Sequence, residues 1–331
     1  MKDHYRLLLS GLALLTLVLF VLSLLAGPAA LGISDSIRAL LTGQGDAIVI
    51  VMREIRLPRA LLGLMIGVTL GLSGAVLQGY LRNPLAEPGL LGVSASASLG
   101  AVIAIYTGLS LAFPLALPLM ALAGAVLAVV LVQALAGRGA GTLTIILAGV
   151  AVSSFAGAMT TLALNLSPNP FAAMEIVYWM LGSLTDRSML HVQLAAPFIL
   201  AGWALLFSLG RALDTLTLGP DAAASMGINI RRVQFFAILG TAASVGAATA
   251  VAGAIGFVGL IVPHVLRPLV GARPSRLLPA SALGGASMLL AADIFVRLIA
   301  PGRDLKLGVL TAMIGAPFFL WLVFRTRRTL I

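Results

Sequence analysis

Residues 56–100, RLPRALLGLMIGVTLGLSGAVLQGYLRNPLAEPGLLGVSASASLG, decide how the rest of the chain is read. After Arg56 and Arg59 the stretch reaches Arg82 without another charge. About twenty apolar residues at 1.5 Å each cross a hydrocarbon core roughly 30 Å thick. Gly63, Gly67 and Gly71 recur every four residues, and Gly74 continues the ridge. Such a ridge lets a second helix approach backbone to backbone. Arg82-Asn83-Pro84 stops the span, and Pro84, Pro88 and Gly89 forbid an ordinary helix through the turn. A second apolar helix starts near Leu90. The unit is a membrane helix, a polar irregular turn and a returning helix.

Composition sets the class for the whole chain. Of the 331 residues, 60% are hydrophobic and 10% charged, with a mean hydropathy of +1.10. A soluble domain carries about 25% charged residues. Alternating barrel-strand patterns are absent, so the chain reads as an all-α polytopic membrane protein in one transmembrane domain, 1–331. No cysteine is present, which excludes disulfides and thiolate metal sites. His4, His191 and His264 are too scattered to suggest a local metal pair. The net charge of +10 comes from arginines at helix ends, which points to lipid headgroups rather than nucleic acid.

Charge-free runs place ten spans, at 7–34, 59–80, 91–107, 115–136, 142–164, 190–209, 234–254, an eighth ending near Arg267, 278–296 and 307–324. The first is read as a retained helix, because its apolar run exceeds a secretory signal core. Residues 35–57 read as a polar connection, and 171–183 as a short interfacial helix anchored by Tyr178 and Trp179. In 210–233, Pro220 and Asp221 suit a helix start, Gly227 a left-handed end, and Asn229 a second cap. Two short helices outside the membrane are expected there. With both termini in the cytoplasm, 13 of the 21 Lys and Arg fall inside and 8 outside, the bias that sets orientation. Glycine-rich runs at 71–79 and 253–259, each leading to an Arg/Pro break, are compatible with an inverted repeat or with coincidence.

Several chemistries are excluded. A P-loop needs glycine-Lys, and neither Lys2 nor Lys306 follows one. Gly71-Leu72-Ser73-Gly74 resembles the G-x-S-G of rhomboid proteases, yet Ser73 lies on the packing ridge, where serine seals helix contacts. Gly43-Gln44-Gly45-Asp46 sits in a loop with no partner aspartate in a span. Acids lie in loops or near span ends, including Glu175 and Asp293, which argues against a stand-alone ion-coupled carrier or channel.

RLPR at 56–59, RNPLAEPGLLGVS at 82–94, GPDAAASMGINIRR at 219–232, GFVGLIVPHVLR at 256–267 and LGVLTAMIGAPFFLWL at 307–322 resemble the FecCD-type permeases. These are the membrane subunits of bacterial ABC importers for vitamin B12, haem and iron–siderophore complexes, and the resemblance covers essentially the whole chain. It implies a homodimer of ten-helix subunits in the inner membrane with the path on the two-fold axis. It also implies two cytoplasmic ATPase subunits carrying the ATP and Mg, a periplasmic solute-binding protein, and no cofactor or metal on this chain. By the same resemblance, Gly219, Pro220, Asp221, Ala224, Met226, Gly227, Ile228 and Arg231 belong to the segment that docks the ATPase. Arg56, Arg59 and Arg297 match positions that pair with glutamates of the binding protein. Asn83 and Leu85, with Thr142 and Leu143, match an inner gate, where apolar side chains can close a path by excluding water. His264 belongs to a run shared whatever the cargo, and reads as a helix-terminus residue rather than a haem ligand.

Overall fold

The computed structural model describes residues 2–27, 31–43, 46–113, 115–137, 141–167, 169–299 and 305–327, and every described residue lies in a helix or a connecting turn. The main helices are α1 (Lys2–Leu25), α2 (Ile33–Thr42), α3 (Leu57–Tyr80), α4 (Val93–Tyr106), α5 (Ala116–Ala136), α6 (Thr142–Asn165) and α7 (Pro170–Met180). They continue with α8 (Met189–Ser208), α9 (Gly210–Leu216), α10 (Pro220–Ser225), α11 (Ile230–Ala252), α12 (Val258–Leu266), α13 (Pro274–Ile299) and α14 (Leu307–Arg327). Among the described residues, eight helices are long and apolar enough to cross a membrane. The multi-pass class is therefore as the sequence implies.

The expected count of ten is not reproduced as ten long helices. Residues 91–107 give the 14-residue α4, and the eighth expected span gives the nine-residue α12. Nine helical residues reach only about 14 Å, so α12 cannot cross alone. The glycine-rich run at 253–259 is non-helical through Phe257, which adopts φ 68°, so it does not echo the helical run 71–79. Hydropathy reads an apolar turn as it reads an apolar helix, so charge-free runs overcount the long helices.

Two boundaries also differ. The first span ends at Leu25 instead of residue 34. Most of the described part of the polar connection 35–57 is helical: α2 ends at Thr42, and Asp46–Val49 leads into a π-helical stretch, Ile50–Arg56, that runs into α3. Arg53, Arg56 and Arg59 thus ride on one continuous helix.

The glycine ridge decides the packing. A Cβ on Gly67 would strike the backbone of Gly285, and one on Gly71 the carbonyl of Ser281, so α3 and α13 meet backbone to backbone. Gly74 meets Gly259 of α12 in the same way. Without a hydrophobic drive between helices in lipid, such contacts and interhelical hydrogen bonds supply the association. Trp203 of α8 donates to the Thr69 hydroxyl of α3 at 2.9 Å, and the α1 and α13 hydroxyls of Thr16 and Ser287 lie 2.9 Å apart. Ser73 is buried within this seam, a packing position.

Candidate coupling, gating and docking sites

Residues 210–233 hold two short helices, α9 and α10, but no separate short helix follows Asn229. Pro220 opens α10, Gly227 ends it at φ 82°, and Ile228 N–H returns to Ala223 O at 3.0 Å. Asn229 accepts the Arg232 N–H at 3.0 Å, but it caps the long helix α11. The second expected short helix is the first turn of a span, because nothing after Asn229 interrupts the helical run. Asp221, Ala224, Met226, Gly227 and Arg231 are exposed, Gly219 and Ile228 half-buried, and only Ala223 of α10 is buried. The segment therefore projects from the bundle with apolar Leu218 and Met226 outward.

Beside the buried Leu213 and Leu216 of α9, Asp214 ties it to the bundle, a residue the sequence reading did not single out. Gly210 of α9 packs on Ser275 and Leu278 of α13. From this position Asp214 accepts the Ser275 N–H at 2.7 Å, the Ser275 hydroxyl at 2.6 Å and Arg273 Nε at 3.0 Å. Partial burial pushes the Asp214 carboxyl up, but the Ser275 hydroxyl and amide and the Arg273 guanidinium outweigh it, and the group titrates below the usual carboxylate range. Its contribution is thus present above that range and lost only as the pH falls through the depressed value.

In the expected gate, the Asn83 side chain accepts the Leu85 N–H at 2.9 Å, so Asn83 shapes the turn as well as ending α3. Leu143 is exposed at the start of α6, and the Thr142 side chain lies outside the described residues. The two halves meet further along, where the carbonyl of Leu90 sits against Gly149 of α6. Glu87, which the sequence reading did not single out, accepts the Phe257 N–H at 2.8 Å and fastens the gate turn to the break before α12. Gln78 braces the same break: it donates to the carbonyls of Gly259 and Leu260 at 3.3 Å and accepts from Arg267 at 2.6 Å.

Arg56, Arg59 and Arg297 come together, but not as free surface cations. Asp293, 1% exposed, holds Arg59 at 2.8 Å and Arg297 at 2.7 Å. Arg297 also donates to the carbonyls of Ser23 and Ala26, and Arg56 to those of Leu24 and Leu25. The end of α1 exposes carbonyls that no intrahelical N–H can satisfy, and the two arginines satisfy them. Among the described residues, three guanidiniums thus gather at one end of α13 beside a single buried carboxylate. Arg59 is the more open of the paired arginines, with 15% of its side chain exposed. The spacing of Asp293 and Arg297, one helical turn apart, is the one sequence signal that could have revealed the cluster. Arg303, another basic residue of the expected outer side, lies outside the described residues. His264 packs edge-on against Phe318 at 5.8 Å between ring centres, and the described residues hold no cluster of three or more potential metal ligands.

Comparison with known proteins accounts for nearly all of this chain. Residues 15–325 match the FecCD transport family. The Fe(3+) dicitrate transport system permease protein FecD of Escherichia coli is 39% identical over 95% of this chain and 99% of its own. The hemin transport system permease protein HmuU of Yersinia pestis is 37% identical over 97% and 96%. A solved structure in an inward-facing conformation, assigned to the metal-chelate type of ABC transporter, superposes with a TM-score of 0.85 at 31% identity, covering 96% of this chain and 98% of that one.

Proposed function

This chain belongs to the FecCD transport family, and from that premise we infer that it is the membrane-spanning permease subunit of an ATP-driven importer of metal chelates. The cargo class is haem, an iron–siderophore complex or cobalamin, as the ferric citrate and hemin permeases among its relatives suggest. We place it in the bacterial inner membrane with both termini in the cytoplasm, where most of its Lys and Arg then lie. It works as a homodimer with two cytoplasmic ATPases, which carry the ATP and Mg, and a periplasmic binding protein.

The observation that carries the reading is the projecting segment around α10. A six-residue helix flanked by exposed apolar Leu218 and Met226 buries only Ala223 in the isolated chain and suits the cleft of a partner. Closure of the ATPases on ATP then moves Gly219–Arg231, and the bundle exchanges which gate is open. Asn83 and Leu85 with Thr142 and Leu143 form the inner gate.

At the other end, the guanidinium groups of Arg56, Arg59 and Arg297 attract carboxylates of the binding protein. Such charges set approach and register more than affinity. A self-powered carrier is disfavoured by Asp293: a relay carboxylate must exchange protons or ions, and this one is locked between two guanidiniums.

Reconstitution decides between them. Liposomes holding the chain with its ATPase and binding protein should take up iron chelate only when ATP is inside. Solute accumulation by the purified chain alone overturns the proposal.

A further inference from the structure

The three ion pairs between described residues all lie at the two ends of α13. At one end Asp214 binds the amide and hydroxyl of Ser275, the second residue of α13, so a side chain from another helix serves as its N-cap. At the other end Asp293 grips Arg59 of α3 and Arg297 of α13 itself. Between these ends Gly67 and Gly71 press on the backbone of Gly285 and Ser281. A helix of 26 residues is about 39 Å long, enough to reach from one membrane face to the other. Backbone contacts of this kind do not yield gradually, so a push on one end of the pair is delivered to the other.

The coupling segment is joined to the bundle through α9, which buries Leu213 and Leu216 in the core and reaches α13 through Gly210 and Asp214, while within α10 only Ala223 is buried.

We propose that Asp214 is the positioning residue through which the coupling segment drives the α3–α13 pair, so that ATPase closure and the arginine cluster at the far end are mechanically one event. The inference rests on the coupling role proposed above for Gly219–Arg231. Loss of Asp214 leaves ATP hydrolysis intact and disconnects it from the far face.

The test uses the complete complex in liposomes. With Asp214→Ala, the complex assembles and hydrolyses ATP at its basal rate, while stimulation by loaded binding protein and chelate uptake each fall about tenfold. With Asp214→Asn, which keeps an acceptor oxygen for Ser275, both stay within about twofold of the parent. Because the chain has no cysteine, an Asp214→Cys, Ser275→Cys double variant can be bridged by a short bifunctional thiol reagent. The unbridged double variant is impaired, and bridging restores stimulation and uptake. This arm holds even if Asp214→Ala assembles poorly. Stimulation retained in Asp214→Ala, or bridging that leaves the double variant impaired, overturns the proposal. Absence of ATP-driven uptake in the parent complex would instead sink the importer reading itself.

Discussion

The central spans and the outer ones, the closed and the open sides of the packing, are built by different rules. Around α3 and α11 most of each span is buried, 83% and 78%, while the figures for α6 and α14 are 33% and 28%. On the closed side glycine and serine bring backbones together. On the open side Phe155, Leu162, Met313, Trp321 and Phe324 point outward. In water such a face would be a liability, but in lipid an outward Phe costs nothing and only shape complementarity distinguishes one neighbour from another. The closed side is therefore the fixed frame. The open side is available to lipid and, under our proposal, to the second subunit and the path.

Substituting glycines on the two sides should separate them most sharply. Gly71→Leu places side-chain atoms inside the carbonyl of Ser281, whereas nothing lies within 4 Å of a Cβ on Gly157 in α6. Overpacking a close contact costs about 1–3 kcal/mol even where neighbours can shift, and backbone cannot. Gly71→Leu is expected to yield no folded protein on detergent extraction, while Gly157→Leu melts within a few degrees of the parent. Equal yields and melting temperatures for the two variants would erase the distinction.

A smaller but still large effect is expected where the closed side ends. Asp293→Ala strands two guanidiniums that are 85% and 93% buried, judged from side-chain exposures of 15% and 7%. Removing one partner of a buried pair costs about 3–5 kcal/mol. Denaturation of the purified chain should show a drop of that order, with Asp293→Asn intermediate because its amide oxygen still accepts. A loss below about 1 kcal/mol would mean that water already screens the cluster.

Much of this division was legible in the sequence, and the failures have physical reasons. The four-residue glycine repeat announced the seam because helical periodicity is local. Gly227 announced its left-handed turn because few other residues adopt that conformation at low cost. The pairing of Arg59 with Asp293 joins residues 234 positions apart, and that of Asp214 with Ser275 joins residues 61 apart. No local pattern encodes either. The family resemblance drew attention to Arg56, Arg59 and Arg297, but their inward hydrogen bonds follow from where α1 happens to end. The π-helical link at Ile50–Arg56 was missed because charged residues between apolar runs read as a loop.

Helix caps give the finest comparison, since the same chemistry occurs on both sides. Asn169 accepts the Ala172 N–H at 2.8 Å at the start of α7, and Asn229 does the same for Arg232 at the start of α11. Either Asn→Ala change removes about 1 kcal/mol of capping. On α7, where Ile176 and Trp179 alone are buried, that loss exceeds what packing can hold near the helix start. Amide exchange across 170–174 should quicken several-fold with the melting temperature unchanged, the signature of local opening. On α11, packing holds the helix to the frame, so opening its first turn alone gains little. Asn229→Ala should therefore lower global stability by about 1 kcal/mol while exchange at 230–234 barely changes relative to the rest of the helix. Fast local exchange in both variants would show that α11 is no better anchored at its start than α7, and that the frame begins deeper in the bundle than Val233.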